Sequence, residues 1–294
     1  MPGPAAEIDI TPALVRALLQ EQHPDLAPQH RHSPRAGWDN VTYRLGDELC
    51  VRMPRRAASA PLILHEQRWL PELAPGWTLP VPVPVRVGVP GVGYPWAWSV
   101  CPWLPGVEIE ESPPGDWSVV ARQLGEFLGS VHRPAPPDAP FNPYRGIPLG
   151  DRADALTDGL ARLDLSQTER VGLAERWRLA LAAPPWAGPP LWLHGDVHPL
   201  NLLIDEGRLS AAIDFGDITA GDPASDLAVA WMLFTPAARI ELRAAYDAPA
   251  ATDGARWARA KGWAIALGVA FADGDDRVAA IGRRTLAAVL ADKA

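Results

Sequence analysis

The chain has 294 residues, of which 48% are hydrophobic and 21% charged, a composition typical of a globular protein with a sizeable core. No apolar run approaches the ~20 residues that a bilayer span requires. The net charge of −8 is opposite in sign to the basic surface of most nucleic-acid-binding proteins. We therefore expect neither a membrane nor a nucleic acid as a partner.

Two cysteines, Cys50 and Cys101, are too few for a disulfide framework, so we expect them to be small core side chains. The first ten residues lack the basic start and apolar centre of a secretory signal, and we expect a cytoplasmic protein. Residues 1–105 carry nine Lys+Arg and nine Asp+Glu, so the excess acid lies in residues 106–294. That excess would attract a cationic ligand or simply keep the protein soluble.

The first predicted elements are a helix over residues 12–23 and a β-hairpin. The hairpin joins the alternating runs Val41–Leu45 and Glu48–Met53 through a two-residue turn, Gly46-Asp47. This prediction pairs the following residues across the hairpin: Leu45 with Glu48, and Val41 with Arg52.

A second helix is predicted over residues 62–70, with Glu66 inside it, and strands are predicted at 79–87 and 96–101. The proline- and glycine-rich connector at 101–106 interrupts this pattern. We therefore predict a lobe boundary there, with residues 1–102 in a smaller lobe and 103–294 in a larger one.

Beyond residue 117 the hydrophobic spacing is mostly helical. The predicted helices are 117–131, 153–163, 168–182, 223–234, 236–246, 254–271 and 276–291. A strand pair interrupts them at Asn201–Ile204 and Leu209–Ile213, with a turn at 205–207. The sequence thus predicts an α+β fold of two lobes: a small antiparallel β lobe with a helix, and a larger, mainly helical lobe. We expect the ligand to bind in the cleft between them.

The densest polar cluster in an apolar setting lies around this strand pair. It comprises His194-Gly195-Asp196-Val197-His198-Pro199-Leu200-Asn201 and Ile213-Asp214-Phe215-Gly216-Asp217. Because the turn folds the second strand back along the first, Asn201 and Asp214 should end close together. Asp196 lies five residues before Asn201, in a loop that can curl back to the same point.

Phosphoryl transfer requires this combination of side chains. Mg²⁺ prefers oxygen ligands, one or two of them from protein, and Asn201 and Asp214 would supply them. A separate carboxylate must orient the acceptor hydroxyl and take its proton, and Asp196 is the candidate base.

The two motifs together resemble the aminoglycoside phosphotransferase family, which has a protein-kinase-like fold. His194-Gly195-Asp196-x4-Asn201 is similar to the kinase catalytic loop, and Asp214-Phe215-Gly216 is similar to the metal-binding segment. A further stretch, Gly221–Ala228, also resembles a feature of the family. The resemblance covers residues 35–230 and implies ATP or GTP as co-substrate, Mg²⁺, and a small-molecule hydroxyl as acceptor.

The resemblance also implies a nucleotide site in the smaller lobe. Gly37-Trp38-Asp39-Asn40, at the start of the hairpin, resembles the family's phosphate loop, with backbone N–H groups and the Asn40 side chain toward the phosphates. Arg52 occupies the position of the phosphate-binding lysine, and Glu66 is its expected ion-pair partner. Trp103, in the connector, is expected near the nucleotide base.

Several residues admit other interpretations. His194 and His198 flank Asp196, as in a metallohydrolase. The other histidines lack metal-ligand spacing, however, and we expect His194 to hold the loop through hydrogen bonds to the backbone and His198 to be an ordinary loop residue. Asp217 can assist the metal or cap a turn; Asp222 and Asp226 are expected to be structural, Asp222 as a helix cap and Asp226 as a brace for the loop.

The resulting hypothesis is a kinase that phosphorylates an aminoglycoside-like antibiotic, as a monomer or dimer. The alternatives are a kinase of a metabolic acceptor (choline, homoserine or sugar), a non-catalytic nucleotide-binding homologue, and the metallohydrolase. An acidic turn, Asp273, Asp275 and Asp276, would suit a cationic acceptor.

Overall fold

The computed structural model describes residues 5–29, 35–248 and 254–292. The strands are β1 Arg35–Ala36, β2 Asn40–Leu45, β3 Leu49–Pro54, β4 Arg86–Gly88, β5 Trp98–Pro102, β6 Val107–Glu108, β7 Leu191–Leu193, β8 Leu202–Asp205, β9 Arg208–Ala212 and β10 Thr219–Gly221. The helices are α1 Pro12–Gln22, α2 Ala60–Leu73, α3 Trp117–Val131, α4 Ala153–Arg162, α5 Gln167–Ala182, α6 Ala224–Leu227, α7 Val229–Leu233, α8 Pro236–Asp247, α9 Gly254–Ala272 and α10 Asp276–Ala291. The α+β class predicted from the sequence is confirmed.

An antiparallel sheet of five strands, in the order β1-β2-β3-β5-β4, forms the N-terminal part. Its side chains alternate between two faces. One face packs on α1 in a cluster that includes Val15, Leu18, Tyr43, Val51 and Val100. The opposite face carries Arg52, which reaches α2.

The predicted hairpin register is wrong by one residue. Leu45 pairs with Leu49 and Arg52 pairs with Thr42, whereas the predicted partners were Glu48 and Val41. The turn spans three residues, 46–48, and begins at Gly46 with a positive φ of 60°. This longer turn leaves Glu48 exposed and places Leu49 beside Leu45 in the apolar cluster.

Two other predicted elements differ from the structure. Of the run 79–87, only its end enters a strand, β4, because the prolines at 80, 82 and 84 have no N–H to donate to a ladder. The helix predicted over 223–234 is divided into α6 and α7 at Ala228, where Trp231 N–H donates to the Ala228 carbonyl at 3₁₀ spacing, 3.1 Å.

A larger hydrophobic cluster lies among the C-terminal helices. It includes Leu124, Phe127 and Leu128 of α3 and much of α9, together with the strands around the polar motifs. Trp69 and Leu70 of α2 also belong to it. The division into lobes at residue 102 stays a prediction. No helix in the described part of the chain combines the length and apolar character needed to cross a membrane.

The helix α9 is fixed to the polar segment by a buried ion pair. Arg259 makes two bonds to Asp222, Nε to Oδ2 at 2.7 Å and Nη2 to Oδ1 at 3.1 Å. Both residues are at most 5% exposed. A buried pair of this kind is costly to break from one side, because the remaining charge has neither water nor a partner.

We therefore expect Arg259→Ala to lower the free energy of unfolding by about 3–5 kcal/mol. The matched control is Arg68→Ala, which removes the exposed pair with Glu72 and should cost less than about 0.5 kcal/mol. Urea denaturation of the two variants checks the difference. Equal losses would show that the Arg259 pair does not secure α9.

Candidate active site

A buried guanidinium connects three elements at the centre of the site. Arg52 Nη1, on β3, lies 2.7 and 2.6 Å from the two carboxylate oxygens of Glu66 on α2. Its Nη2 donates to Asp214 Oδ1 at 3.0 Å. Arg52 is 7% and Glu66 1% exposed. The structure thus brings the predicted pair together and joins it to the candidate metal ligand.

The charges of this cluster do not balance. Burial raises the pKa of Glu66 and the neighbouring Asp214 raises it further, while Arg52 opposes both. Burial alone would lower the pKa of Arg52, but Glu66 and Asp214 outweigh it and keep the guanidinium charged. One positive and two negative groups leave a surplus of negative charge that a cation would neutralise.

Asp214 is presented by a strained backbone. Its φ is +65°, which is uncommon for a residue other than glycine. The next residue, Phe215, is fully buried, stacks on Trp77 at 5.1 Å, and donates its N–H to Glu66 at 3.0 Å. The buried Phe215 therefore holds the neighbouring Asp214 in place. The Asp214 side chain is 47% exposed.

The loop before Asn201 is held from beneath by Asp226 of α6. The Asp226 carboxylate accepts from the N–H groups of His194 and Gly195 at 2.8 and 3.1 Å, as expected for a brace. Gly195 has φ +86°, and a Cβ there would lie 2.0 Å from the Asp217 carbonyl oxygen. Only glycine fits this position without moving the backbone.

His194 is a neutral structural residue in this geometry. Its Nδ1 accepts from the N–H of Asp196 at 3.2 Å, so the proton lies on Nε2, which donates to the Ile213 carbonyl at 3.1 Å. Burial lowers its pKa, although the nearby carboxylates oppose this effect. Through its two ring nitrogens, His194 ties the loop to the strand end that carries Asp214.

Two side chains, Arg145 and His198, hold the carboxylate of the candidate base Asp196. Arg145 donates to its Oδ1 at 3.0 Å, and His198 Nε2 lies 3.2 Å from its Oδ2. Burial would raise the pKa of Asp196, but His198 and Arg145 outweigh burial and hold that pKa well below its usual range. Asp196 is therefore an ionised acceptor of hydrogen bonds.

Asn201 connects the candidate base to the candidate metal site. The side-chain Nδ2 of Asn201 donates to the backbone carbonyl of Asp196 at 2.9 Å. The backbone carbonyl of Asn201 accepts from the N–H of Ile213 at 2.9 Å, one residue before Asp214. The amide oxygen Oδ1 has no partner among the described residues. Asn201 Nδ2 also lies 3.4 Å from Asp196 Oδ2, so the side chains of Asn201 and Asp196 are neighbours, and the backbone of Asn201 is bonded one residue before Asp214.

Asp217 lies within electrostatic reach of Asp196. Its carboxylate accepts from Asn142 Nδ2 at 2.7 Å, and within the described ranges no backbone N–H caps onto it. Burial and the charge of Asp196 raise its pKa to about 6. This carboxylate is thus kept in a position where ionisation is unfavourable.

Sequence reasoning missed the partners supplied by distant segments. Asp222 accepts from the Ala224 N–H at 3.1 Å, close to its predicted capping role. The main partner of Asp222 is nevertheless Arg259. Asp226 is likewise bonded to His132 at 3.2 Å. Local sequence spacing does not predict these partners, and it does not predict Arg145 or Asn142 either. Each of them lies dozens of residues along the chain from the carboxylate that it contacts.

Two residues predicted on the nucleotide side lie farther out. Asn40 begins β2, where its carbonyl accepts from Gly37 N–H at 2.8 Å and closes the 37–40 loop. Its side-chain oxygen is buried without a hydrogen-bond partner in the described structure. Trp103 donates its backbone N–H to Glu48 at 2.7 Å, and Arg44 covers its ring at 5.2 Å.

The geometry gives little support to the metallohydrolase alternative. Both ring nitrogens of His198 contact groups of the loop, and those of His194 contact the loop and the Ile213 carbonyl. Among the residues that the structure describes, no group of three or more His, Cys, Asp or Glu side chains is arranged to hold a metal ion. Asp196, Asn201 and Asp214 instead form an oxygen-rich set suited to a hard cation.

The acidic turn is occupied with structural contacts. Asp273 accepts from Arg162 Nε at 2.8 Å, and Asp275 caps α10 through the Val278 N–H. A separate cavity of about 670 Å³ lies among α5, α7, α8 and α9. Its lining includes Trp231, Trp257 and Lys261 but none of the residues described above.

A sequence profile described as "Phosphotransferase enzyme family" (APH) matches residues 31–263. An Escherichia coli aminoglycoside 3'-phosphotransferase is 28% identical over 140 residues, which are 46% of this chain and 52% of that protein. A Salmonella typhimurium enzyme of the same name matches equally, with 28% identity over 140 residues. The chain thus spans about half the length of these curated relatives.

Solved structures share the fold across most of the chain. A complex of APH(2")-IIia with GDP and kanamycin has a TM-score of 0.73 and 18% identity, over 95% of this chain and 99% of that one. A macrolide 2'-phosphotransferase from Brachybacterium faecium has a TM-score of 0.61 and 20% identity, over 96% and 98%. The expected protein-kinase-like fold is therefore confirmed.

Asp217→Asn should stabilise the protein at pH 7.5 in the absence of divalent cations. The native pKa is raised to about 6 from 3.8, so the native state takes up a proton that the unfolded state does not. The charged carboxylate therefore costs stability above pH 6, and the cost fades as the pH falls from 6 toward 4. We expect a gain on the order of 1 kcal/mol at pH 7.5, after discounting for solvent screening.

Urea denaturation at pH 7.5 and pH 4.5 measures this effect. The gain from Asp217→Asn should be clear at the higher pH and much smaller at the lower one. A gain that is absent at pH 7.5, or that grows on acidification, would contradict the assigned origin of the raised pKa.

Proposed function

This chain belongs to the phosphotransferase enzyme family, and from that premise we propose that it transfers the γ-phosphoryl group of ATP or GTP to a hydroxyl of a small molecule. The observation that carries the proposal is a pair of linked contacts: Asp214 bonds to the guanidinium of Arg52, and Asn201, whose backbone is bonded to Ile213 next to Asp214, bonds to Asp196. Phosphoryl transfer depends mainly on positioning and charge neutralisation, and these four side chains offer both.

On the nucleotide side, Arg52 would bind the α- and β-phosphates while Glu66 holds it in place. An arginine can do this because Nη1 alone bonds to both oxygens of Glu66, and Nη2, which bonds to Asp214 through one hydrogen, keeps a second hydrogen for a phosphate. The 37–40 loop would cover the phosphates, with the unpartnered Asn40 oxygen oriented by bound water or nucleotide. The base would lie near Trp103.

We also propose that residues 1–102 form the nucleotide-binding lobe and 103–294 the lobe that holds the catalytic loop and acceptor.

Asn201 and Asp214 fit a Mg²⁺ ion. Both present oxygen, the Asn201 Oδ1 has no partner in the described structure, and Asp214 adds to a local surplus of negative charge. When bound, Mg²⁺ supplies neutralisation of the phosphate charge. The chain's contribution is to fix the two ligands: Asp196 carbonyl fixes Asn201, and buried Phe215 fixes Asp214.

On the acceptor side, Asp196 would orient the hydroxyl and receive its proton. Its low pKa makes it a better hydrogen-bond acceptor than base, so alignment of the hydroxyl is its main contribution. Arg145 and His198 keep the carboxylate turned toward the reacting hydroxyl.

The proposed acceptor is an aminoglycoside-like antibiotic. The curated relatives are named aminoglycoside 3'-phosphotransferases, which supports an aminoglycoside-like antibiotic. Metabolic acceptors such as choline, homoserine or a sugar remain the alternative in the same reaction class. The presence of the proposed base, of both proposed metal ligands and of contacts that support them argues against a non-catalytic nucleotide-binding role.

Asp196→Ala should reduce phosphoryl transfer by about 10²–10⁴-fold while nucleotide binding stays near the wild-type value, since Asp196 does not contact the nucleotide side. Transfer is measured as ADP or GDP release and as the mass of phosphorylated product, with a panel that includes kanamycin, choline, homoserine and glucose. If no compound in the panel is phosphorylated, the rate of ATP or GTP hydrolysis, in which water is the acceptor, is compared instead.

The matched control is Asp205→Ala, at the exposed end of β8, which should transfer at the wild-type rate. Undiminished transfer by Asp196→Ala would remove the assigned base. A wild-type protein that neither releases ADP or GDP nor binds nucleotide would refute the proposed function itself.

Asp214→Asn should weaken the effect of Mg²⁺ on nucleotide binding by at least about 10-fold, because one charged oxygen ligand is lost. ADP affinity without Mg²⁺ should remain equal or improve, since a negative charge near the phosphates is removed. Calorimetric titration with and without Mg²⁺ separates the two effects, and Asp205→Asn is the control. An unchanged response to Mg²⁺ would exclude Asp214 as a ligand.

A further inference from the structure

The cavity among α5, α7, α8 and α9 differs in charge from the chain as a whole. Its volume, about 670 Å³, is within the usual range for a small-molecule site. The chain has a net charge of −8, but the described residues that line the cavity carry more positive than negative charge. They include four basic and two acidic side chains: Arg176, Arg239, Arg243, Lys261, Glu175 and Asp292. The cavity would therefore attract an anion rather than a cation.

Two of these six charges have partners beside the cavity. Arg243 Nε lies 3.4 Å from Asp247 Oδ2, and Glu175 accepts from Arg178 at 2.9 Å. Arg176 faces backbone, because its Nε and Nη2 donate to two carbonyls at the end of α10, at 2.9 and 2.7 Å. These contacts leave the balance of charge positive, and they direct attention to the cations of α8 and α9.

One carboxylate of the chain shows how an anion is bound in this cavity. Oδ2 of Asp292 accepts from Trp231 Nε1 at 2.7 Å and lies 3.3 Å from Lys261 Nζ and 3.7 Å from Arg239 Nη2. Two cations thus share the Asp292 carboxylate. Burial lowers the pKa of Arg239, and Asp292 only partly opposes this effect. The charge of Arg239 is therefore incompletely compensated, in contrast to that of Arg52, whose pKa its carboxylate neighbours raise.

Apolar side chains form much of the remaining lining. Leu179 on α5 and Ile240 on α8, which we call the aliphatic rim, are 54% and 69% exposed. The indole groups of Trp231 and Trp257 also line the cavity and are largely buried. Exposed aliphatic side chains that border one cavity are typical of a binding surface. A ligand that fits this lining needs an apolar body as well as a negative charge.

We propose that this cavity binds a small organic acid, with its carboxylate beside Lys261 and Arg239 and its apolar body against the aliphatic rim. The acid would complete the neutralisation that Asp292 begins. The candidate base and the candidate metal ligands do not line the cavity, so the acid would occupy a second site. The inference goes beyond the proposed function and does not depend on it.

Three probes separate the effect of charge from that of shape. 1-Naphthylacetate has both the carboxylate and the apolar body, 1-naphthylacetamide has a similar body without the charge, and acetate has the charge alone. Calorimetric titration at pH 7.5 and constant ionic strength measures the binding of each probe to the wild-type protein and to three variants.

The variants change one charge each. Lys261→Met removes one of the two cations. Asp292→Asn removes the internal carboxylate but keeps an oxygen that can accept from Trp231. The matched control is Arg122→Met, which removes a cation from an exposed pair with Glu241 outside the cavity lining.

We expect the wild-type protein to bind 1-naphthylacetate at least about 10-fold more tightly than either other probe. Lys261→Met should lose this preference. Asp292→Asn should bind 1-naphthylacetate more tightly than the wild type, because a competing negative charge is removed, and Arg122→Met should match the wild type. A general loss of packing would weaken binding in both cavity variants, so the opposite directions identify an electrostatic effect.

Three results would overturn the proposal: no binding of 1-naphthylacetate to the wild type, equal affinity for the acid and the amide, or weaker binding by both cavity variants. A wild-type dimer that dissociates in Ile240→Ser, seen by analytical ultracentrifugation, would assign the aliphatic rim to self-association and also overturn it.

A competition experiment separates this inference from the proposed function. The affinity for 1-naphthylacetate should be the same with and without ADP or GDP and Mg²⁺, and displacement of the acid by nucleotide would place it in the candidate active site and overturn the assignment. A protein that binds the acid in the expected pattern but transfers no phosphoryl group would refute the proposed function and leave this inference standing.

Discussion

The structure depends on one buried arginine. Arg52 binds both oxygens of Glu66 and one oxygen of Asp214, and so connects β3, α2 and the segment after β9. A single guanidinium cannot neutralise two carboxylates, of which Glu66 is buried and Asp214 is half-exposed. The remaining negative charge makes this point receptive to a cation, and Asn201, whose amide oxygen has no partner in the described structure, lies directly before β8. In the proposed function, the contacts that connect these three elements would also prepare the site for a divalent ion and a triphosphate.

Around this cluster, buried polar groups fix the loop that carries Asp196. Asp226 accepts two backbone N–H groups, His194 bonds at both ring nitrogens, and Gly195 provides a conformation that no other residue adopts without strain. These groups bind no substrate in the proposed mechanism. Their role is to reduce the freedom of Asp196 and Asn201, so that little reorganisation is needed when the reactants bind. The unfavourable charge on Asp217 is the stability cost of burying a carboxylate and of placing it near that of Asp196.

Much of the fold and the site could be predicted from the sequence, because local signals carry them. Helical spacing defines α3 and the helices that follow, and the two polar motifs bring Asp196, Asn201 and Asp214 close through one tight hairpin. What the sequence did not reveal depends on long-range contacts. Arg145 reaches Asp196 across fifty residues, and Arg259 reaches Asp222 from another helix, with no spacing rule to indicate either. The hairpin register failed for a different reason: Gly46-Asp47 suggested a two-residue turn, and only packing of Leu49 beside Leu45 selects the longer one.

The central claim is that Asn201 and Asp214 hold a divalent cation beneath a nucleotide, with Asp196 next to the transferred group. The most direct test is a crystal structure with Mn²⁺ and a non-hydrolysable ATP or GTP analogue, in which anomalous scattering locates the metal. The account predicts a manganese peak bonded to Asn201 Oδ1 and the Asp214 carboxylate, with Arg52 on the phosphates. A bound nucleotide whose metal contacts neither of these two residues would contradict it.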